Sequence, residues 1–286
     1  MHPSVAITAD STCDLSHELI EKYDLQILPL YIQIGNDTLH DGLEATPEMV
    51  FDCFCKLGEL PKTSAVTITD YAQEFTKLRS KGKEVVHISI SSEFSSSYQN
   101  ACLAARDIGG VWVLDSRNLS TGSGHLALLG AELARAGKSA QEIYEELKKA
   151  VSNVEASFVL DTLAYLRKGG RCSAVAALGA NLLHVKPSIE VAGGLMTVGK
   201  KYRGSLEKSI MKYIADKLSG RQDIDYKRIF ITHTIQDNNL ITQAIQAVQS
   251  YGDFEEILVT KAGCTVSSHC GPGTLGVLFL RKPAMG

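Results

Sequence analysis

Three short stretches carry side chains that could do chemistry together. Ser91-Ser92-Glu93-Phe94-Ser95-Ser96-Ser97 follows the apolar run Val85 to Ile90 and precedes a helical pattern, so hydroxyls stand at a helix N-terminus. Such a loop offers O–H and backbone N–H donors to an anion at the carboxyl edge of a sheet, where open α/β folds bind ligands. An ordinary N-cap with spare serines fits the same residues. His269 stands just before Gly271-Pro272-Gly273, a tight turn whose N–H groups can face an anion, and its imidazole could donate to a bound carboxylate. A structural histidine satisfied by the turn reads equally well. Arg171 follows Gly169-Gly170 inside the stretch Asp161 to Val191. A guanidinium at that glycine joint can reach a phosphate, a carboxylate or a partner protein, or can be a solvated residue after a helix cap. His233, at a strand end, reads as packing or capping.

Several chemistries lack their motif. The chain contains no G-x-S-x-G elbow, H-E-x-x-H or Walker loop, so a hydrolase built on Ser97 and His269 rests on residue types alone. A net charge of −3 without a long Lys/Arg run removes the basic footprint of nucleic-acid binding. Seven scattered cysteines with no C-x-x-C read as free, mostly buried thiols and not as a metal site. No apolar run approaches the roughly 18 residues that span a bilayer, and the N-terminus enters a strand without a signal pattern. A cytoplasmic protein without a membrane span or a cofactor is expected.

The elements that must position these residues alternate. Val5 to Thr8, Ile27 to Ile34, Val85 to Ile90 and Val111 to Leu114 read as strands, with helices over Leu19 to Tyr23, Glu48 to Leu57, Asp70 to Arg79 and the stretch ending near Ala136. Pro61 to Ser64 reads as extended loop. Strands and helices in alternation argue for a parallel sheet with helices on both faces. The pattern changes near Asn153. Ala192-Gly193-Gly194 between two apolar runs is a hairpin signal, so the second half must hold antiparallel pairing. Asp161 can cap a short helix ended by Gly169 or Gly170, and Ser173 can start another that Pro187 closes. The chain therefore reads as two α/β domains, 1–153 with a parallel three-layer sheet and 154–286 with a two-layer mixed sheet.

Taken together, Asp10-Ser11-Thr12-Cys13-Asp14-Leu15, Thr63-Ser64, Phe94 to Ala101, Asp115-Ser116 with Ser120 to Gly124, Leu163 to Arg171, Lys186-Pro187, Arg203-Gly204 and His269 to Gly276 resemble the DegV family in order and spacing, over essentially the whole chain. That family includes the FakB fatty-acid-binding subunits. The resemblance implies a protein that is no enzyme by itself. It would hold one long-chain fatty acid at the domain interface and present the carboxylate to a separate ATP-dependent fatty acid kinase subunit, whose acyl phosphate feeds phospholipid synthesis. Transient contact with a membrane surface is compatible with that role. Carried over by motif position, Thr63, Ser95, Ser97 and His269 look like the carboxylate ligands, and Arg171 and Arg203 like contacts for the kinase or its phosphates. On pattern, Phe158, Leu163, Leu166, Leu178, Leu182 and Ile189 are candidates for the acyl tunnel, although the same residues could fill a dry core. Roughly 14 buried CH₂ groups would contribute on the order of 11 kcal/mol before ordering costs. The chain departs from the family at Ala65-Val66, where Gln-Pro is common, and at Ser96, where glycine is common. A carrier of another lipid or carboxylic acid, or a Ser/His-dependent hydrolase of a small ester or phosphate, are the alternatives.

Overall fold

The computed structural model of the chain describes residues 4–173 and 185–283. In its first half the order is β1 (Val5–Asp10), α1 (His17–Tyr23), β2 (Gln26–Leu28), β3 (Tyr31–Ile34), β4 (Asp37–His40), α2 (Pro47–Leu57), β5 (Lys62–Ser64), α3 (Ile68–Ser80), β6 (Glu84–Ser89), α4 (Ser97–Arg106), β7 (Val111–Asp115), α5 (Thr121–Arg135) and α6 (Ala140–Ala150). The second half adds β8 (Val154–Val159), α7 (Ala164–Gly169), β9 (Val185–Ala192), β10 (Leu195–Arg203), α8 (Leu206–Leu218), β11 (Ile224–His233), α9 (Asn238–Gln249), β12 (Glu256–Lys261), α10 (Cys264–Cys270) and β13 (Leu275–Arg281). Local chemistry sets many of these ends. Thr46 accepts from the Met49 amide with Pro47 in the first turn, and Thr67–Asp70 and Ser139–Glu142 form capping boxes.

Strands β2, β1, β6 and β7, in that order, make an all-parallel sheet. On one face Tyr71, Phe75 and Leu78 of α3 and Ala101 and Ala104 of α4 pack on Ala6, Leu28 and Val85. On the other, α1, α5 and α6 bring Leu19, Leu126, Leu128, Ile143 and Leu147 against Ile7, Ala9, Val86 and Ile88. A strand buried on both faces reads as a near-continuous apolar run; β1 and β6 have one in Val5-Ala6-Ile7 and Val85-Val86, and beyond it they carry the buried polar Thr8, Asp10, His87 and Ser89. The second sheet, β10-β9-β8-β13-β11-β12, is antiparallel except for β11 with β12. Helices α8 and α9 cover one face of it through Ile210, Tyr213, Ile214, Leu240 and Ala244. The architecture is thus the mixed α/β arrangement read from the sequence, a three-layer parallel half followed by a two-layer mixed half. A small antiparallel sheet, β4-β3-β5, completes it.

Helix α5 joins the two large sheets. Its Leu126, Leu128 and Ala131 share one apolar cluster with Ile7 and Val86 of the first sheet and Ala156, Phe230 and Leu278 of the second. His125 donates from Nε2 to the Leu278 carbonyl at 3.1 Å and sets its ring edge on Phe230. Arg228, 6% exposed, binds Glu132 of α5 at 2.8 Å, Glu256 at 2.6 Å and the Tyr23 hydroxyl at 3.0 Å.

Four expectations need correction. The run Ile27 to Ile34 is two strands in different sheets, because Pro29 interrupts it; proline cannot donate to a ladder. Pro61 to Ser64 is extended but includes a strand: β5 pairs with β3, Thr63 opposite Ile32. Asp161 does not cap α7, whose N-cap is Leu163 without a side-chain bond; the Asp161 carboxylate is bound by Lys186 instead. His269 lies in the last turn of a helix, α10, and not in the glycine turn after it. The second helix expected from Ser173, with Leu178 and Leu182, falls outside the described residues.

Candidate functional site

The segments that follow β2, β6 and β7 converge with β5 and α10 around a cavity of about 460 Å³, within the range of small-molecule sites. Thr63, Ser95, Arg171 and His269 all line it, although they lie as far apart in sequence as positions 63 and 269. Ser97 stands one layer behind. It is fully buried, and its hydroxyl is 2.9 Å from that of Ser95.

Each of these side chains is placed by a local rule. Ser97 opens α4, so free amides of the first turn and the positive end of the helix dipole face the wall formed by Ser95 and Ser96. Thr63 projects from β5, and its Oγ1 is 3.1 Å from His269 Nε2. Helix α10 has only seven residues and is held from the other half of the chain: Asp41 accepts the Cys264 amide at 2.8 Å and the Thr265 amide at 3.3 Å, and Asp14 accepts the Gly263 amide at 2.9 Å. Gly169 makes room for the histidine, since a Cβ there would stand 2.2 Å from Nδ1. Its neighbour Gly170 takes φ +67 as the left-handed cap of α7.

Burial, with the Arg171 guanidinium nearby, lowers the His269 pKa to about 4. The imidazole is therefore neutral at physiological pH, and its buried Nδ1 has no hydrogen-bond partner. Arg171 is exposed at the rim, where Nη1 donates to the Gly169 carbonyl at 3.0 Å. Opposite, Arg117 donates to Glu93 at 3.1 Å and to the Gly193 carbonyl, and Ser91 donates to Gly194 at 2.9 Å, so the β9–β10 hairpin is fastened to the serine loop.

Leu30, Ile90, Phe94, Leu119, Met196, Val266 and Cys270 supply the apolar part of the lining. Sequence reasoning singled out none of these as lining, since each reads as ordinary core and only convergence of several elements exposes it to the cavity. Leu119, Val266 and Cys270 also border a second, smaller cavity of about 20 Å³ floored by Phe158, Ala156 and Leu278. Leu166 and Ile189 are buried and Leu163 half-buried in the same apolar cluster as Phe158, behind the lining. Arg203 ends β10 opposite Val185, exposed and outside the lining. The departures fall on the wall itself: Ala65 and Ser96 line the cavity, whereas Val66 is core. His233, expected to pack or cap, accepts the Ile235 amide on Nδ1 at 3.1 Å.

The arrangement suits holding an anion more than attacking one. His269 is bonded to Thr63 and not to Ser97, and no group orients its Nδ1, whereas a nucleophile needs a base in reach and an orienting partner. Among the described residues no group of three or more His, Cys, Asp or Glu could hold a metal ion, and no helix is long and apolar enough to cross a membrane.

Comparison with known proteins agrees on one family. The model of the DegV family, described as an uncharacterised protein family, matches residues 4–282. A DegV domain-containing protein of Clostridium acetobutylicum is 30% identical over 280 residues, 97% of this chain and 99% of that one. A protein of Thermotoga maritima named fatty acid-binding protein is 27% identical over 95% of this chain and 96% of its own. A solved DegV family protein from Thermus thermophilus, described for its fatty acid binding, superposes with a TM-score of 0.88 at 28% identity, covering 97% of this chain and 99% of that one.

Proposed function

The chain belongs to the DegV family, and from that membership we propose that it binds one long-chain fatty acid in the cytoplasm and presents its carboxylate to a separate ATP-dependent kinase subunit. The carboxylate sits among Thr63, Ser95, Ser97 and His269, at the junction of domains 1–153 and 154–286. The observation that carries this reading is a cavity walled on one side by hydroxyls, a helix N-terminus and a neutral histidine, and on the other by apolar side chains. Neutral donors leave a carboxylate oxygen reachable for phosphoryl transfer, whereas a bidentate Arg clamp would occupy both oxygens. The protein supplies no catalytic group and needs no cofactor of its own.

The acyl chain runs from the hydroxyl wall past Leu119, Val266 and Cys270 towards Phe158, with Leu163, Leu166 and Ile189 as the apolar packing around it. Arg171 at the rim, together with Arg203, meets the kinase and the phosphates it carries. Because Ala65 and Ser96 replace the residues common in the family, the head-group contacts differ in detail from those of relatives.

Mass spectrometry of the purified protein, native and then after organic extraction, tests the reading. One non-covalent fatty acid near stoichiometric level is expected. A protein that carries none, and takes up none from a panel of saturated and unsaturated acids, sinks the proposal; extraction of a different lipid or acid redirects it to a carrier of that compound. Acyl phosphate formed only when the kinase subunit, ATP and this protein are combined is the expected result for the partner.

A further inference from the structure

The face of α10 that lines the cavity carries a hydroxyl that the head-group residues named above leave out. Thr265, Val266, His269 and Cys270 share this face, since positions i, i+1, i+4 and i+5 of a helix stand together, and all four reach the lining. They form two stripes. Val266 and Cys270 also border the second, apolar cavity towards Phe158, whereas Thr265 and His269 meet the main cavity alone. Thr265 therefore stands on the head-group side, one helical turn from His269. It is 6% exposed, and its Oγ1 is buried without a hydrogen-bond partner. A buried hydroxyl left in that state lowers stability unless a ligand or water binds it.

The protein offers this hydroxyl no substitute. A threonine inside a helix commonly donates to the carbonyl three or four residues back, but Thr265 is the second residue of α10, so Lys261 and Ala262 precede the helix. The Ala262 carbonyl accepts Ser267 Oγ at 3.2 Å. Asp41, which accepts the Thr265 amide at 3.3 Å, is also served by the Cys264 amide and Ser11 Oγ. The other buried polar groups of the lining are committed. His269 Nε2 is 3.1 Å from Thr63 Oγ1 and its Nδ1 stands over Gly169, while Ser95 Oγ shares a bond of 2.9 Å with Ser97. Ser92 donates to Asp115 at 2.6 Å, and Ser64 and Ser96 are exposed to water. An ionised carboxylate only accepts, and Thr265 has an uncommitted proton to give.

We infer that Thr265 is a further head-group ligand of this cavity, its hydroxyl donating to a carboxylate oxygen when the acid is bound and lacking a partner when it is not. Rotation about χ1 exchanges the hydroxyl and the methyl between staggered positions, so the donor can turn to the cavity without any backbone movement. The inference rests on the carboxylate reading of the site and deepens it.

Oleate and palmitate, with oleyl alcohol as the uncharged control, titrated into the delipidated wild type, Thr265→Val and Thr265→Ser, test this. Valine keeps the shape and removes the donor; serine keeps the donor. Hydrogen bonds to a charged acceptor are the stronger ones. Thr265→Val is thus expected to bind the acids about tenfold more weakly and the alcohol within about threefold of wild type, and Thr265→Ser to stay within about threefold throughout. The urea midpoint of ligand-free Thr265→Val is expected at or above that of the wild type, because the hydroxyl it removes has no partner there. Acid affinity unchanged in Thr265→Val overturns the inference. So does an equal loss for acids and alcohol together with a lower midpoint, which is what a structural hydroxyl would give. The wild-type titration stands apart from these ratios: a wild type that takes up neither acid overturns the carrier reading and this inference with it, whereas a wild type that binds them equally with Thr265→Val sinks the inference alone.

Discussion

At the scale of single residues, the site depends on groups kept uncharged by burial. His269→Ala removes the partner of Thr63 and is expected to weaken fatty-acid binding about tenfold, on the order of 1.4 kcal/mol, in a fluorescent fatty-acid titration; unchanged affinity would remove His269 from the head-group site. With its folded-state pKa at about 4, below the ordinary 6.5, His269 binds no proton between pH 5 and 8. No histidine step should therefore appear in the affinity over that range, and the stability it contributes is lost only as pH falls from about 6.5 through 4. Asp14 has the opposite sign. Burial pushes it up to about 8, with Asp41 adding to the effect against the bonds from Ser120 and Gly263. The folded state then holds more protons than the unfolded chain between about pH 4 and 8, so stability falls as pH rises through that window. Urea midpoints at pH 5 and pH 8 should show the fall, and Asp14→Asn, which mimics the protonated group, should remove most of it.

At the scale of elements, α10 is a helix that would not hold itself. Seven residues, CTVSSHC, are too few for a stable isolated helix, and no side chain of its own N-cap, Gly263, closes it. Asp41 does so from the other half of the chain. Asp41→Ala is expected to lower stability by about 1–2 kcal/mol and to weaken ligand binding with it, since Thr265, Val266, His269 and Cys270 all move with the helix. Gly169 is the complementary case on α7. Gly169→Ala is expected to keep the helical circular dichroism of the wild type while losing ligand affinity, because the new methyl displaces the imidazole. Normal affinity in that variant would show that the histidine can retreat without cost.

At the scale of the whole molecule, the two sheets share one core through α5. The cluster that contains Ile7 and Val86 also contains Ala156, Phe230 and Leu278, and Arg228 ties α5 and the second sheet to Tyr23. A fragment of residues 1–153 would expose the face of α5 that meets the second sheet, so it is expected to bind an apolar dye and to unfold without a sharp transition, whereas the full chain unfolds in one step. A cooperative, dye-free fragment would mean that the domains of the proposal are independent units.

Much of this was fixed by local sequence. Alternating apolar runs with capping residues between them specify strands and helices from neighbours alone, and the Gly193-Gly194 hairpin and the Gly170 cap follow from backbone conformations that glycine adopts at little cost. The serine cluster and His269 stood out because their residue types can serve an anion wherever they are placed. Tertiary structure decided the rest. Whether His269 sits in a turn or a helix depended on Asp41, more than two hundred positions away, and whether Gly169 merely ends a helix depended on the ring packed against it. Leu119, Met196, Val266 and Cys270, core residues of one apolar cluster, became lining as well only where several elements failed to close on one another. A local pattern records the conformation a segment prefers, but a cavity is a property of the surfaces that several segments leave between them.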